Sequence, residues 1–227
     1  MTLRSFVCVA ALAILFHPLV EAAPPVRILP VGDSITWGSA VAGGYRLPLW
    51  NLLTNAGYTV DFTGTQTGNG AAGLPDSEHE GYSGWQIHQI HNVIASSLQR
   101  TPDPDVVLLF IGTNDYGGSN DVANATNRWI SLIGRIASNR PHCHIVAANL
   151  MDRNNSNWAI SNIHQFFNPS VPGIVSNLQA QGLQIHFTDL YSAVPISDMP
   201  DQLHPGAAGY AKMATNWFQA ITNIMSP

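Results

Sequence analysis

A chain of 227 residues with a formal net charge of −5, in which only 10% of residues are charged, lacks the Lys/Arg surface that nucleic-acid phosphates require. Its abundance of Gly, Asn, Ser and Thr is a composition common among secreted proteins that handle neutral polymers. Of its two cysteines, Cys8 lies in the apolar N-terminal stretch and leaves Cys143 without an intramolecular partner, so the mature fold must stand on its core.

Arg4 is followed by an apolar run over residues 6–20 and then Glu21-Ala22-Ala23, a charged region, hydrophobic region and small-residue cleavage site. Residues 1–22 therefore read as a secretory signal. Residues 23–227, roughly 205 in number, suit a single domain. The apolar core of the signal is short for a membrane span and no later segment competes for that role, so no stable membrane association is expected. Residues 26–31 predict a first buried strand, with Gly32-Asp33-Ser34 turning out of it. Residues 45–55 have helical apolar spacing with Gly57 as a stop, and 59–63 alternate like a second strand. A Gly-rich loop runs to about residue 84, and 85–99 resume helical spacing. Residues 106–111 are continuous and β-branched, as in a strand covered on both faces. Helix is then predicted over 121–139, strand over 145–149, mostly helix over 157–181, strand over 184–188 and a closing helix over 206–225. This alternation implies an α/β fold, a three-layer α/β/α sandwich around a central parallel sheet. Ligands in such sheets bind beyond the carboxyl ends of the strands, where the loops "GDSIT" and "GTNDYGG" fall.

Ser34 in "GDSIT" is either an attacking hydroxyl or a helix cap, and a serine attacks only with a base, an orienting acid and oxyanion donors at hand. Of nine histidines, His17 lies in the signal, and His88 and His91 lie on a predicted helix. His142 and His144 flank Cys143, but strand alternation sends the thiol away from both rings, so no metal site is expected there. His204 differs, because "PDQLHPG" lies between the last strand and the closing helix. Asp201, three residues earlier, can reach one imidazole nitrogen in a compact turn while the other faces the serine. Taken alone, D-x-x-H favours a polar loop that caps the next helix.

The four blocks "GDSIT", "HEGYSGW", "GTND" and "DQLH", in this order, resemble those of the GDSL or SGNH hydrolase superfamily, and the resemblance spans essentially the whole mature chain. "PVGDSIT" with "HEGYSGWQI" is most similar to the acetyl xylan esterases of carbohydrate esterase family 3. The resemblance implies the SGNH-hydrolase, flavodoxin-like fold, with Ser34 as nucleophile, His204 as general base and Asp201 as its orienting partner. It implies an oxyanion hole made of the Ser34 N–H, the Gly81 N–H and the Asn114 side-chain amide, with Gly84 as the alternative to Gly81. The residue types fit: Asn114 is a neutral donor, and a glycine lets backbone approach an acyl oxygen. Asp33 and Asp115 read as bracing acceptors, and a capping role for Ser34 is compatible with attack.

The implied reaction is two-step ester hydrolysis through an acyl-enzyme, without metal or organic cofactor. The G-x-S-x-G elbow of another hydrolase fold is absent. Trp37, Tyr82, Trp85 and Tyr116 lie beside the motif loops, where they either stack on sugar rings or pack the core. Asp76, Glu78, His79 and Glu80 read as a solvated acidic loop rather than a cation site. Asn124-Ala125-Thr126 and Asn154-Asn155-Ser156 are glycosylation sequons. The expectation is a secreted, extracellular, monomeric esterase acting on acetylated plant cell-wall polysaccharide or small acyl esters. The rivals are the same machinery acting on lysophospholipids, thioesters or another acylated carbohydrate, or a non-catalytic carbohydrate-binding protein, which would need a broken triad.

Overall fold

The computed structural model describes residues 24–117, 121–154 and 157–227, apart from the side chains of 157, 158 and 160. The signal assigned to residues 1–22 lies outside the described residues. The apolar run Val26–Gly32 forms β1, which leads into the short helix α1 (Ser34–Trp37) and then α2 (Arg46–Asn55). β2 (Val60–Phe62) pairs with the first half of β1, and the two-residue β3 (Glu80–Gly81) pairs with the second half. α3 (Ile87–Arg100) starts two residues later than its periodicity suggests, because Gln86 is its N-cap in a reciprocal capping box with Gln89. β4 (Val106–Phe110), buried at every position, runs into α4 (Thr113–Gly117), followed by α5 (Ala125–Asn139) and β5 (His144–Ala148). The chain closes with α6 (Asn157–Asn162), α7 (Val171–Ala180), β6 (Ile185–Thr188), α8 (Leu190–Ala193) and α9 (Ala207–Thr222).

The sheet order is β2-β1-β4-β5-β6 with β3 added on β1, and every pairing between these strands is parallel. Such continuous apolar strands need cover on both faces. α2 packs with α9 and α3 with α5, forming the helical layers of the expected α/β/α sandwich. Setting β3 aside, the order is that of flavodoxin-like sheets, and the chain reverses its direction of winding between β1 and β4. The loops after these two strands carry "GDSIT" and "GTND".

Two further local readings change, and a third gains its physical basis. The helix predicted over 157–181 is interrupted by a π-turn at Ile163–Phe167 and by Asn168 and Pro169. The Asn168 side chain bonds both the N–H and the carbonyl of Leu150 at 2.9 and 2.8 Å, and Pro169 has no N–H with which to continue the helical ladder. α5 begins at Ala125 rather than 121, since Asp121 has a φ of 41° and a 3₁₀ turn intervenes. The loop after β2 is tied down by Arg46, whose buried guanidinium donates to the carbonyls of Trp37, Gly68, Asn69 and Ser77. Among the described residues no carboxylate pairs with it; backbone carbonyls carry the compensation a buried cation needs.

Candidate active site

β1 delivers Asp33 and Ser34 to the carboxyl edge of the sheet. The Asp33 carboxylate accepts the Ile35 N–H at 3.0 Å and is the N-cap of α1. Ser34 is the first helical residue and not the cap, which leaves its hydroxyl free for another partner. That partner is His204, whose Nε2 lies 3.0 Å from Ser34 Oγ. His204 Nδ1 lies 2.7 Å from Asp201 Oδ2, while Asp201 Oδ1 accepts the N–H groups of Leu203 at 3.0 Å and His204 at 2.6 Å. The three-residue spacing works because one carboxylate closes its own turn and holds the ring. Gln202, at the bend, adopts a φ of 62°.

An ionised carboxylate only accepts hydrogen bonds, so Nδ1 carries the imidazole proton and Nε2 turns its lone pair to the serine hydroxyl. Burial pushes the Asp201 carboxyl up, but the His204 backbone N–H, the His204 ring and the Leu203 N–H outweigh it and hold the carboxyl below its ordinary value. The carboxylate thus stays ionised, and its half-exposed side chain limits the cost of burial.

On the oxyanion side, Gly81 does not fill the role expected of it. Its N–H already donates to His79 Nδ1 at 2.8 Å. Its missing Cβ serves packing instead, since a Cβ there would lie 2.6 Å from the backbone nitrogen of Trp37 in α1. Gly84, three residues on, is exposed at the tip of the turn with a φ of 78°, a left-handed conformation that favours glycine. Among the described residues nothing accepts its N–H. The Ser34 N–H lies ahead of the first helical bond, from Trp37 N–H to the Asp33 carbonyl at 2.9 Å, and so is also open. Asn114 donates one side-chain amide hydrogen to the Trp85 carbonyl at 2.9 Å, and its backbone carbonyl accepts from Gln86 Nε2 at 3.2 Å. The second amide hydrogen remains. Asp115 braces this region as its position suggests, accepting the Ile87 N–H at 2.9 Å and pairing with Arg128 at 3.0 Å.

The segment before the turn is not a solvated acidic loop. His79 and Glu80 are fully buried. His79 Nε2 lies 2.9 Å from the Gly68 carbonyl, so the ring is a neutral clamp that donates at Nε2 and accepts at Nδ1. Tyr116 is core, packed on Phe167 with its hydroxyl 3.0 Å from Thr126, while Tyr82 and Trp85 stack on each other at 4.0 Å. Trp37 remains half-buried at the end of α1. Cys143 is buried, and His144 turns instead to His186, 2.9 Å away. Among the described residues no cluster of three or more metal-ligating side chains occurs, and no helix is long and apolar enough to cross a membrane. The sequon residues Asn124 and Asn154 are both exposed.

Sequence reasoning missed Arg46 and His79 as supports of the site. The "HEG" triplet carried the only signal for His79, and nothing in the helical spacing around Arg46 marked it.

Two buried groups near the site titrate over nearly the same window with opposite effect. Burial raises the Asp33 carboxyl from 3.8 to about 6, against the pull of the Ile35 N–H and the His204 charge. Burial and then the Arg46 charge lower the His79 imidazole from 6.5 to about 4. As pH falls from 6 towards 4, folded Asp33 takes up a proton that the unfolded chain does not, which stabilises the fold. Over the same range the unfolded chain protonates His79 first, which destabilises it. Asp33→Asn keeps an oxygen for the Ile35 cap and removes a buried charge. It should stabilise the protein at pH 8 by on the order of 2 kcal/mol and steepen the loss between pH 6.5 and 4. Melting curves across this range test it; an unchanged or lower Tm at pH 8 counts against it.

A parallel sheet with a serine, an imidazole and a carboxylate in hydrogen-bonded series at its carboxyl edge is an arrangement suited to hydrolysis of acyl esters. The chain belongs to the GDSL-like Lipase/Acylhydrolase family, which matches residues 31–212, and is a hydrolase of that esterase family. It is 34% identical to a family 3 carbohydrate esterase of Clostridium thermocellum, with a TM-score of 0.76 over 88% of this chain and 97% of that one. A family 3 carbohydrate esterase of Talaromyces cellulolyticus shares the fold at 23% identity, with a TM-score of 0.75 over 88% of this chain and 97% of that one. The multidomain esterase of Ruminococcus flavefaciens is 30% identical over 231 residues, 91% of this chain. The chain spans only 30% of that relative's length.

Proposed function

We propose that this protein is a secreted, monomeric serine esterase that removes acetyl groups from plant cell-wall polysaccharide, with acetylated xylan as the first candidate. The observation that carries the reading is the continuous Ser34–His204–Asp201 series at 3.0 and 2.7 Å, with the Nε2 lone pair facing the hydroxyl. In this reading Ser34 Oγ attacks the acyl carbon while His204 Nε2 takes its proton, and Asp201 holds the resulting imidazolium. The developing oxyanion is met by the N–H of Ser34, the N–H of Gly84 and the free amide hydrogen of Asn114. Collapse expels the sugar hydroxyl with His204 as acid, and water clears the acetyl group by the reverse steps. The polysaccharide assignment draws on the 34% identity to the Clostridium thermocellum carbohydrate esterase, the signal-like residues 1–22 and the two sequons.

The test is a substrate panel: acetylated xylan, p-nitrophenyl acetate, p-nitrophenyl esters of long chains, lysophospholipid and acyl thioesters. Acetate release from xylan and acetate esters should exceed turnover of long-chain and thioester substrates by at least about ten-fold. A preference for lysophospholipid or thioester overturns the substrate class. Failure to react with a fluorophosphonate probe overturns the nucleophile itself.

A further inference from the structure

We propose that Glu80, acting through Tyr82, is a positioning residue that holds the oxyanion turn against Asn114; this rests on the esterase reading above. A buried carboxylate one residue outside a motif glycine is costly unless both its oxygens are hydrogen-bonded. Glu80 uses them on three different elements. Its Oε1 accepts the Thr65 N–H at 2.6 Å from the loop after β2. Its Oε2 accepts the Ser97 hydroxyl at 2.9 Å from α3 and the Tyr82 hydroxyl at 2.7 Å from the turn itself. The carboxylate is therefore a fixed point where the scaffold meets the 81–85 turn.

From that point the contacts continue to the site. The Tyr82 ring stacks on Trp85 with centroids 4.0 Å apart and planes 10° from parallel. The Trp85 N–H donates to the Tyr82 carbonyl at 3.1 Å, and the Trp85 carbonyl accepts from Asn114 at 2.9 Å. The Tyr82 N–H donates to the carbonyl of Gly32, two residues before Ser34, at 3.0 Å. Gly84 lies between the two stacked rings in sequence, so the phenol bond to Glu80 sets the turn that presents its N–H. Tyr82 and Trp85 spend one face each on the other, which makes them a brace for the turn before any contact with sugar.

Tyr82→Phe tests this, because it removes one hydroxyl and keeps the ring stack. With p-nitrophenyl acetate, which carries no sugar, kcat should fall about ten-fold, as small displacements of oxyanion donors do, with KM within two-fold of the parent. Glu80→Gln keeps an acceptor for the phenol and should retain more kcat than Glu80→Ala. A Tyr82→Phe kcat within two-fold of the parent overturns the proposal, as does a rise in KM at unchanged kcat, which would place Tyr82 on substrate. A fall in Tm without a fall in kcat overturns it too, by leaving Glu80 a purely structural role. The esterase reading fails separately, if the parent protein neither hydrolyses the ester nor labels with fluorophosphonate.

Discussion

Ser34→Ala should lower kcat on acetyl esters by at least about three orders of magnitude, as for other triad serines, and leave the melting temperature nearly unchanged. The two halves of this result have separate physical causes. Among the described residues the hydroxyl is the one group hydrogen-bonded to His204 Nε2, at 3.0 Å, so its loss removes the attacking atom and the proton that the imidazole would take. The fold does not depend on it, because Asp33 rather than Ser34 caps α1. Loss of a side-chain cap costs about 1 kcal/mol, and no cap is lost here. Ester hydrolysis and fluorophosphonate labelling of the variant check the first half, and a melting curve checks the second. Retention of more than a tenth of the activity with native circular dichroism would remove Ser34 from the chemistry.

Asn114→Ala should lower kcat by about a hundred-fold, or roughly 3 kcal/mol of transition-state stabilisation, with little change in KM. One amide hydrogen is committed to the Trp85 carbonyl, which fixes the plane of the amide and aims the other hydrogen. Because the acyl oxygen carries its charge in the transition state, that hydrogen matters far less to the ground-state carbonyl. The variant also frees the Trp85 carbonyl, so a loss of about 1 kcal/mol in stability accompanies it. If Asn114 only held its loop, Tm would fall while kcat stayed within a few-fold. Near-normal kcat would take Asn114 out of the oxyanion site.

Much of this protein is written in short-range pattern. Val106–Phe110 is an unbroken apolar run and is buried at every position in the middle of the sheet. The alternation of such runs with amphipathic stretches is enough to require parallel strands with helices on both faces. The order of "GDSIT", "GTND" and "DQLH" along that alternation is enough to put Ser34, Asn114 and His204 at one sheet edge. Asp201 was legible only through the resemblance of its block, since D-x-x-H alone reads as a capping loop; the structure adds that its carboxylate closes the turn on its own backbone.

Which glycine keeps a free N–H was not legible, because it depends on where one N–H finds its acceptor. Gly81 and Gly84 sit in the same short motif, and both suit close backbone approach. The choice falls to His79, whose ring takes the Gly81 N–H because the Gly68 carbonyl, eleven residues away, fixes its tautomer, while burial and then the Arg46 charge keep it neutral. The burial of Glu80 likewise depends on Ser97 in α3 and Thr65 in a separate loop. Periodicity and motif report which residues share a face or an edge. The partner of a single polar atom is decided by groups brought from distant parts of the chain, and only the packed tertiary structure brings them together.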